Sequence, residues 1–387
     1  MRLSQRISDV SPSQTLAISN KAKMMKKEGV DVIGFGAGEP DFDTPIHIKD
    51  AAKKSLDAGF TKYTAASGIP ELKDAVIKKI ERDNGFSYEQ NQIIISCGAK
   101  HSLFNVFFVL CDTGDEVLIP SPYWLSYPEM VKMAGAVPVF VDGSEDAEFK
   151  VTVEQLEKAI TPRTRALILN SPSNPTGSVY TKEELMKIAD FAIEKNIYVI
   201  SDEIYDKIIY EDNVYASISS YGQKIKDLLV IVNGVSKTYS MTGWRIGYIA
   251  APVEIAKAVS NLQSHSTSNP TSFAQYGAVE ALMGDQSCIT NKVTEFKKRR
   301  DYMMGRFENM KNLSCVTPLG AFYTFPNIAK TGKTSTEIAG ELLDSVHVAV
   351  VPGVAFGRDE NIRLSFATSM ENIEKGLDRI EKYLESI

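Results

Sequence analysis

Seven short apolar runs between positions 90 and 250 constrain this chain more than any other feature. They are Ile93–Ser96, Val117–Ile119, Val137–Val141, Ala166–Leu169, Tyr198–Ile200, Val230–Val232 and Ile246–Ala250. Each is nearly continuous in apolar residues rather than alternating, the pattern of strands buried on both faces. Segments of helical period fall between them. In one, Thr181 and Glu184 have capping-box spacing, Leu185, Ile188, Phe191 and Ala192 form one stripe, and Asn196 stands where the helix should stop. Strand, helix, strand in this order makes a right-handed βαβ unit. The pattern predicts an α/β fold, with a large domain over residues 46–284 built on a mostly parallel sheet covered by helices.

The rest of the chain reads differently. A long amphipathic helix around Ser287–Lys311 is followed by Gly320-Ala321-Phe322-Tyr323, by Val348–Gly353, by Asn361–Phe366 and by a final helix to Ile387. Mixed strands and helices in that order predict a smaller α+β domain over 285–387, joined by an N-terminal arm over 1–45. The basic run Lys297-Lys298-Arg299-Arg300 lies inside the long helix and reads as a solvated face.

Composition narrows the function. A formal charge of −6 over 387 residues argues against nucleic acid or an anionic membrane as partner. No apolar run approaches the ~20 residues of a membrane span. The first 27 residues lack an apolar signal core, and Asp9 disfavours a transit peptide. Cys97, Cys111, Cys288 and Cys315 are far apart, as are the four histidines. Reduced thiols, a cytoplasmic location and no metal site are expected.

In an open α/β sheet, ligands bind beyond the carboxyl ends of the strands. The residues that follow the runs are Gly98, Ala99 and Lys100; Ser121-Pro122-Tyr123-Trp124; Asn174-Pro175-Thr176-Gly177; Asp202, Glu203 and Tyr205; and Ser236-Lys237. Arg245 stands eight residues beyond Lys237. A lysine at a strand end, with a hydroxyl beside it and a guanidinium nearby, can hold an aldehyde cofactor as a Schiff base while its neighbours hold a phosphate. Pyridoxal 5'-phosphate fits. Asp202 can keep a pyridine nitrogen protonated, although an N-cap for a following helix is an equal reading of that residue alone. Tyr205 and Asn174 can bond a ring hydroxyl, and Trp124 can stack on the ring. Gly98 lets backbone approach the phosphate, the amides of Ala99 and Lys100 bind it at a helix start, and Ser236 and Arg245 complete the cup.

Read together, these motifs resemble a class I (fold type I) pyridoxal-phosphate-dependent aminotransferase. They are Gly36–Phe42, Tyr63 with Ser67–Leu72, Ser121–Trp124, Asn170 through Gly177, Ser201–Tyr205, the Lys237 segment and Arg363-Leu364-Ser365, and they run through nearly the whole chain in the family's order. The branch most resembled is bacterial aspartate aminotransferase. The resemblance implies that Lys237 forms the aldimine and shuttles the proton, with Asp202 and Tyr205 as further catalytic groups. It makes Arg363 the residue that grips the substrate α-carboxylate and Gly38 a backbone contact to the substrate. It sends Tyr63 to the cofactor phosphate of a neighbouring subunit, hence a homodimer with shared sites. It marks Ser121-Pro122 and Asn174-Pro175 as positions where cis bonds are common.

The implied reaction is ping-pong transamination of L-aspartate with 2-oxoglutarate, because Lys100 stands where this branch has a lysine for the distal carboxylate. Trp124 and Asn174 would touch the substrate as well. Relatives that accept prephenate carry a basic residue where this chain has Ser11, before Pro12-Ser13. The loop His265–Pro270 would reach the partner's substrate. An aminotransferase for aromatic amino acids, alanine or prephenate, or a β-eliminating lyase, would share the same cofactor groups. A nicotinamide-dependent dehydrogenase is a reading from another class, but Gly34, Gly36 and Gly38 lack the dinucleotide spacing. A transcription regulator built on this fold would need an appended DNA-binding domain.

Overall fold

All seven apolar runs are strands of one sheet. The computed structural model describes residue 10, residues 14–210 and residues 215–387. In chain order the strands are β1 (Ile33–Gly34), β2 (Ile93–Ser96), β3 (Glu116–Ser121), β4 (Val137–Asp142), β5 (Thr164–Asn170), β6 (Tyr198–Asp202), β7 (Leu229–Gly234), β8 (Gly247–Ala250), β9 (Tyr323–Thr324), β10 (Val348–Ala349), β11 (Val351–Pro352) and β12 (Ile362–Ser365). The large sheet runs β2-β8-β7-β6-β5-β3-β4. It is parallel except for β8, which is antiparallel to both neighbours. Register sets Ser96 and Gly234 opposite Gly247, so the end of β2, the end of β7 and the start of β8 share one edge.

Adjacent residues of the central strands enter opposite cores. Ile93 and Ile95 pack on one face with Leu167, Val199 and Ile231. Ile94 packs on the other with Ile168, Ile200 and Val232. Both faces are covered, which is why these runs show no alternation. β4 departs from that expectation. It pairs only with β3, and Val137 and Phe140 are each 46% exposed. An edge strand keeps one side toward solvent, and Pro138, lacking an N–H, is tolerated there.

The Thr181 capping box forms as expected, on the helix Lys182–Lys195, with Asn196 left-handed at its end. The helix Ala99–Leu110 begins at Gly98, as the apolar run implied. The long helix is Ser287–Phe307, shorter than expected at its C-terminal end. It also corrects the solvated-face reading of the basic run. Arg299 and Arg300 are buried. Arg299 pairs with Asp41 at 2.8 Å, and Arg300 donates to Pro318 O at 3.1 Å over the Tyr210 ring.

A second core gathers Phe296, Met303, Phe322, Tyr323, Leu342, Leu364 and Leu377 from the C-terminal part with Ile33 and Phe35 from the N-terminal part. β1 pairs in parallel with β10, and β12 pairs with both β11 and β9. Ile204, Tyr205, Ile208 and Tyr210, just past β6, pack into this core too. No helix of the described residues is long and apolar enough to cross a membrane.

Candidate active site

The two cores meet at the sheet edge where β2, β3, β5, β6 and β7 end, and a cleft of about 810 Å³ lies between them. Gly38, Ala99, Lys100, Trp124, Asn174, Asp202, Tyr205, Ser236, Lys237, Arg245 and Arg363 all line it. Residues from seven separate segments thus converge, as the strand-end argument requires. Gly98 is not itself on the cleft surface but packs behind it against a lining residue, where a Cβ would stand 2.4 Å from Arg245 Nη2. Tyr63 and the loop His265–Pro270 are not on this cleft among the described residues, and Tyr63 is 90% exposed. Ser11 lies outside the described residues.

Lys237 follows β7 and donates from Nζ to Gly38 O at 2.5 Å. Burial pushes its ammonium down to about 8, against the raising influence of Glu39 and Asp202 and with the help of Arg245 and Arg363. A neutral amine is the form that attacks an aldehyde. Asp202 ends β6 and is buried. Its Oδ2 accepts from Tyr127 Oη at 2.6 Å and its Oδ1 from the Ile204 amide at 3.2 Å. Burial pushes its carboxyl up to about 6, opposed by Tyr127, the Ile204 amide and Lys237. The N-cap alternative for Asp202 fails, because the chain after it turns without forming a helix.

Four cations in the cleft touch only neutral groups. Arg363 is 3% exposed and donates to Asn174 Oδ1 at 2.9 Å and Gly36 O at 3.1 Å, while its buried Nε has no partner among the described residues. Arg245 donates to Thr242 O at 2.8 Å and Cys97 O at 3.3 Å. Lys237 has Gly38 O, and Lys100 Nζ lies 4.8 Å above the Trp124 ring. Burial and Arg245 lower the Lys100 ammonium. Arg363 is a buried cation without an acid, and with Lys237, Arg245 and Lys100 around the same cleft it favours an anion there. The Ala99 and Lys100 amides open a helix and have no intrahelical acceptor, which adds two donors at the same place.

Asn174 is set by Asn170, whose Oδ1 accepts from the Asn174 amide at 2.8 Å and whose Nδ2 donates to Asp202 O at 3.0 Å. The bonds 121–122, 171–172 and 174–175 are cis, including both expected positions. Four neighbours of the site were not singled out from sequence. Tyr127 bonds Asp202, and its place three residues after Trp124, at a helix start, was a readable signal. Tyr323 bonds Tyr205 and carries Arg363 on its ring, and nothing local in the sequence announces it. Lys23 and Lys26, on the helix Gln14–Lys27, stand at the cleft mouth. No group of three His, Cys, Asp or Glu among the described residues could hold a metal ion.

Comparison with known proteins agrees in family and fold. The pattern for aminotransferase class I and II matches residues 30–380. The chain is 49% identical to an aspartate aminotransferase of Geobacillus stearothermophilus, covering 100% of both. It is 46% identical to an aspartate/prephenate aminotransferase of Cereibacter sphaeroides, covering 98% of each. The structure superposes on a Thermus thermophilus aspartate aminotransferase with maleate at a TM-score of 0.94 and 42% identity, covering 99% of this chain and 100% of the other.

Proposed function

Because this chain belongs to the class I and II aminotransferases, with pyridoxal phosphate as cofactor, we propose that it transfers the amino group of L-aspartate to 2-oxoglutarate by a ping-pong cycle. The carrying observation is the set of four cations in one cleft facing neutral groups, Arg363 on one wall and Lys100 beside Trp124. A substrate with two carboxylates gives both cations a partner. The relative solved with maleate, a dicarboxylate, points the same way.

The residues fit the cofactor. Gly98 keeps open a space beside the Arg245 guanidinium that any Cβ would fill, which suits a phosphate held by Arg245, Ser236 and the Ala99 and Lys100 amides. Asp202 is a buried carboxylate short of a cation, which a pyridinium supplies. Bound there, the cofactor offers an aldehyde to an amine and a ring that takes up the electrons left when the Cα proton departs. Lys237 Nζ would tether the aldehyde carbon between turnovers and, once displaced, would carry the Cα proton. Asp202 would keep the pyridine nitrogen protonated. Tyr205 and Asn174 would bond the ring hydroxyl, and Trp124 would pack on the ring face. Arg363 holds the α-carboxylate with both Nη atoms, and the Gly38 carbonyl, released by Lys237, accepts from the substrate amine.

We also read the chain as two domains, 46–284 and 1–45 with 285–387, and as a homodimer. An aromatic ring 90% exposed at Tyr63, with Ile46 at 62% and Phe60 at 44%, supports burial against a second copy whose cofactor phosphate Tyr63 would reach. The scattered free cysteines support a cytoplasmic location.

The test is a donor panel with 2-oxoglutarate, repeated with Lys100→Ala. Aspartate should be the best donor, and the variant should lose roughly tenfold or more in kcat/KM for aspartate against little for alanine, the worth of a charged contact. Equal losses on both donors would remove Lys100 from specificity. Prephenate belongs in the acceptor panel, because a close relative is named for it.

A further inference from the structure

We propose that Tyr323 is a positioning residue of this reaction: its hydroxyl aims the Tyr205 proton at the cofactor ring, and its ring carries the guanidinium that grips the substrate. The inference rests on the functional reading above.

Tyr323 is fully buried on β9. Its Oη lies 2.9 Å from Tyr205 Oη. Each phenol has one proton to give. If Tyr205 spends its proton on a ring oxygen, its own oxygen must accept, and Tyr323 is the donor in place. The chain Tyr323 to Tyr205 to ring oxygen then points one way, and each bond polarises the next. Without Tyr323 the Tyr205 hydroxyl could rotate freely. Asp202 and Arg363 are the charged groups that bear on Tyr205.

The other end of Tyr323 meets the substrate side. The Arg363 guanidinium stacks 4.5 Å from its ring centroid, and Phe356 lies 4.9 Å from the same group. β9 and β12 are register-locked, with Ser365 opposite Tyr323, so Arg363 and Tyr323 are diagonal neighbours and travel together. Arg363 also bonds Asn174 Oδ1 at 2.9 Å. Both ring-hydroxyl ligands are therefore joined to the carboxylate-binding arginine, one directly and one through Tyr323. A shift of Arg363 on substrate binding is felt at Tyr205.

The experiment uses full-length holoprotein with Tyr323→Phe, Tyr205→Phe, the double variant and Tyr323→Leu. The first readout is the pH midpoint of the bound cofactor's visible band, and the second is the split between kcat and KM. Loss of a proton donor to the ring oxygen favours the protonated chromophore, so midpoints move up. Tyr323→Phe should raise the chromophore's proton affinity by roughly threefold with KM for the amino acid unchanged, because the ring under Arg363 remains. Tyr205→Phe should move the midpoint further, and the double variant should match Tyr205→Phe alone, since the Tyr323 hydroxyl acts on the chromophore only through Tyr205. Tyr323→Leu should also raise KM several-fold, by roughly the worth of a desolvated cation–π contact. If Tyr323→Leu does not fold, the two Phe variants decide alone. An unmoved midpoint in Tyr323→Phe, or shifts that add in the double variant, would overturn the proposal. A wild-type protein with no pH-sensitive visible band would instead sink the functional reading, and the role of Tyr323 with it.

Discussion

Gly98→Ala separates what the fold needs from what the cofactor needs. Gly98 has φ 94° and ψ 158°, a region that is nearly closed to other residues. Forcing alanine into it costs about 1–3 kcal/mol of stability. At roughly 2–4 °C per kcal/mol for a domain of this size, the melting temperature should fall by several degrees. The new Cβ would also stand 2.4 Å from Arg245 Nη2 and 2.9 Å from its Cζ. A guanidinium is the free end of a flexible side chain, so it moves and the fold survives. The phosphate cup does not. Losing one charged hydrogen bond costs about 1.5–3 kcal/mol, which weakens binding about 10- to 150-fold.

The assay is calorimetric titration of cofactor-free protein with pyridoxal phosphate and with pyridoxal, which lacks the phosphate. Gly98→Ala should lose affinity for the first and little for the second. Gly243→Ala is the matched control on the Lys237 segment, because a Cβ there meets nothing within 4 Å. Affinity for pyridoxal phosphate within twofold of wild type would refute the reasoning. So would an equal loss for both ligands, since the damage would then not lie at the phosphate.

Two further outcomes follow from burial. With the Lys237 ammonium lowered to about 8 from 10.5, capture of pyridoxal phosphate by cofactor-free protein should speed about tenfold per pH unit up to about 8 and then level, because only the neutral amine reacts; a rate that climbs undiminished to pH 10 would contradict the burial. The sign for stability agrees: between those values the unfolded chain binds more protons at this lysine, so its contribution to the stability of the cofactor-free form rises with pH across that window. Lys79 is buried between Asp206 and Asp83. Lys79→Met strands Asp206, which keeps only the Asn233 amide, while Asp83 keeps Lys207 and Arg82; it should cost about 3–5 kcal/mol in a urea melt, and adding Asp206→Leu should restore a large part; a neutral single variant would show that the pair adds nothing.

What was legible in the sequence follows from burial geometry. Most of the seven strands were readable because Ile94, Ile200 and Val232 face one core while their neighbours face another, which leaves an unbroken apolar run, whereas β4 was readable because its exposed positions Val137 and Phe140 are apolar as well. The strands of the second core were only partly readable: β10 and β11 share the apolar run Val348–Val351, but β1 and β9 have two residues each, too few for a period. The buried arginines were misread despite a signal. Phe296, Arg299, Arg300, Met303 and Phe307 share one buried stripe at helical spacing, so period alone placed the guanidiniums inside. What the sequence hid was the partners, Asp41 and Pro318 O, which come from distant segments. Tyr323 was hidden for the same reason, since its value comes from the register of β9 against β12.

The small core also supports the loop that carries the reactive lysine. Ser240 and Arg245, on either side of the turn after Lys237, have φ of 54° and 56°, a conformation that costs L-residues energy and persists only where the surroundings enforce it. The enforcement comes largely from outside the sheet. Lys292, on the helix Ser287–Phe307, donates to Thr238 O at 2.9 Å and Ser240 Oγ at 2.7 Å. Thr44 donates to Ser240 O at 2.6 Å and accepts from Trp244 Nε1 at 3.0 Å, and Thr242 donates to Glu39 Oε2 at 2.7 Å. Two turns further along, the same helix holds Asp41 through Arg299. One helix thus ties the Gly38–Thr44 loop and the Lys237 loop to the body that bears Arg363. The lysine, the carbonyl it bonds and the arginine opposite are positioned by a common support, which explains why a cleft between two cores can hold its reacting groups within hydrogen-bond tolerance.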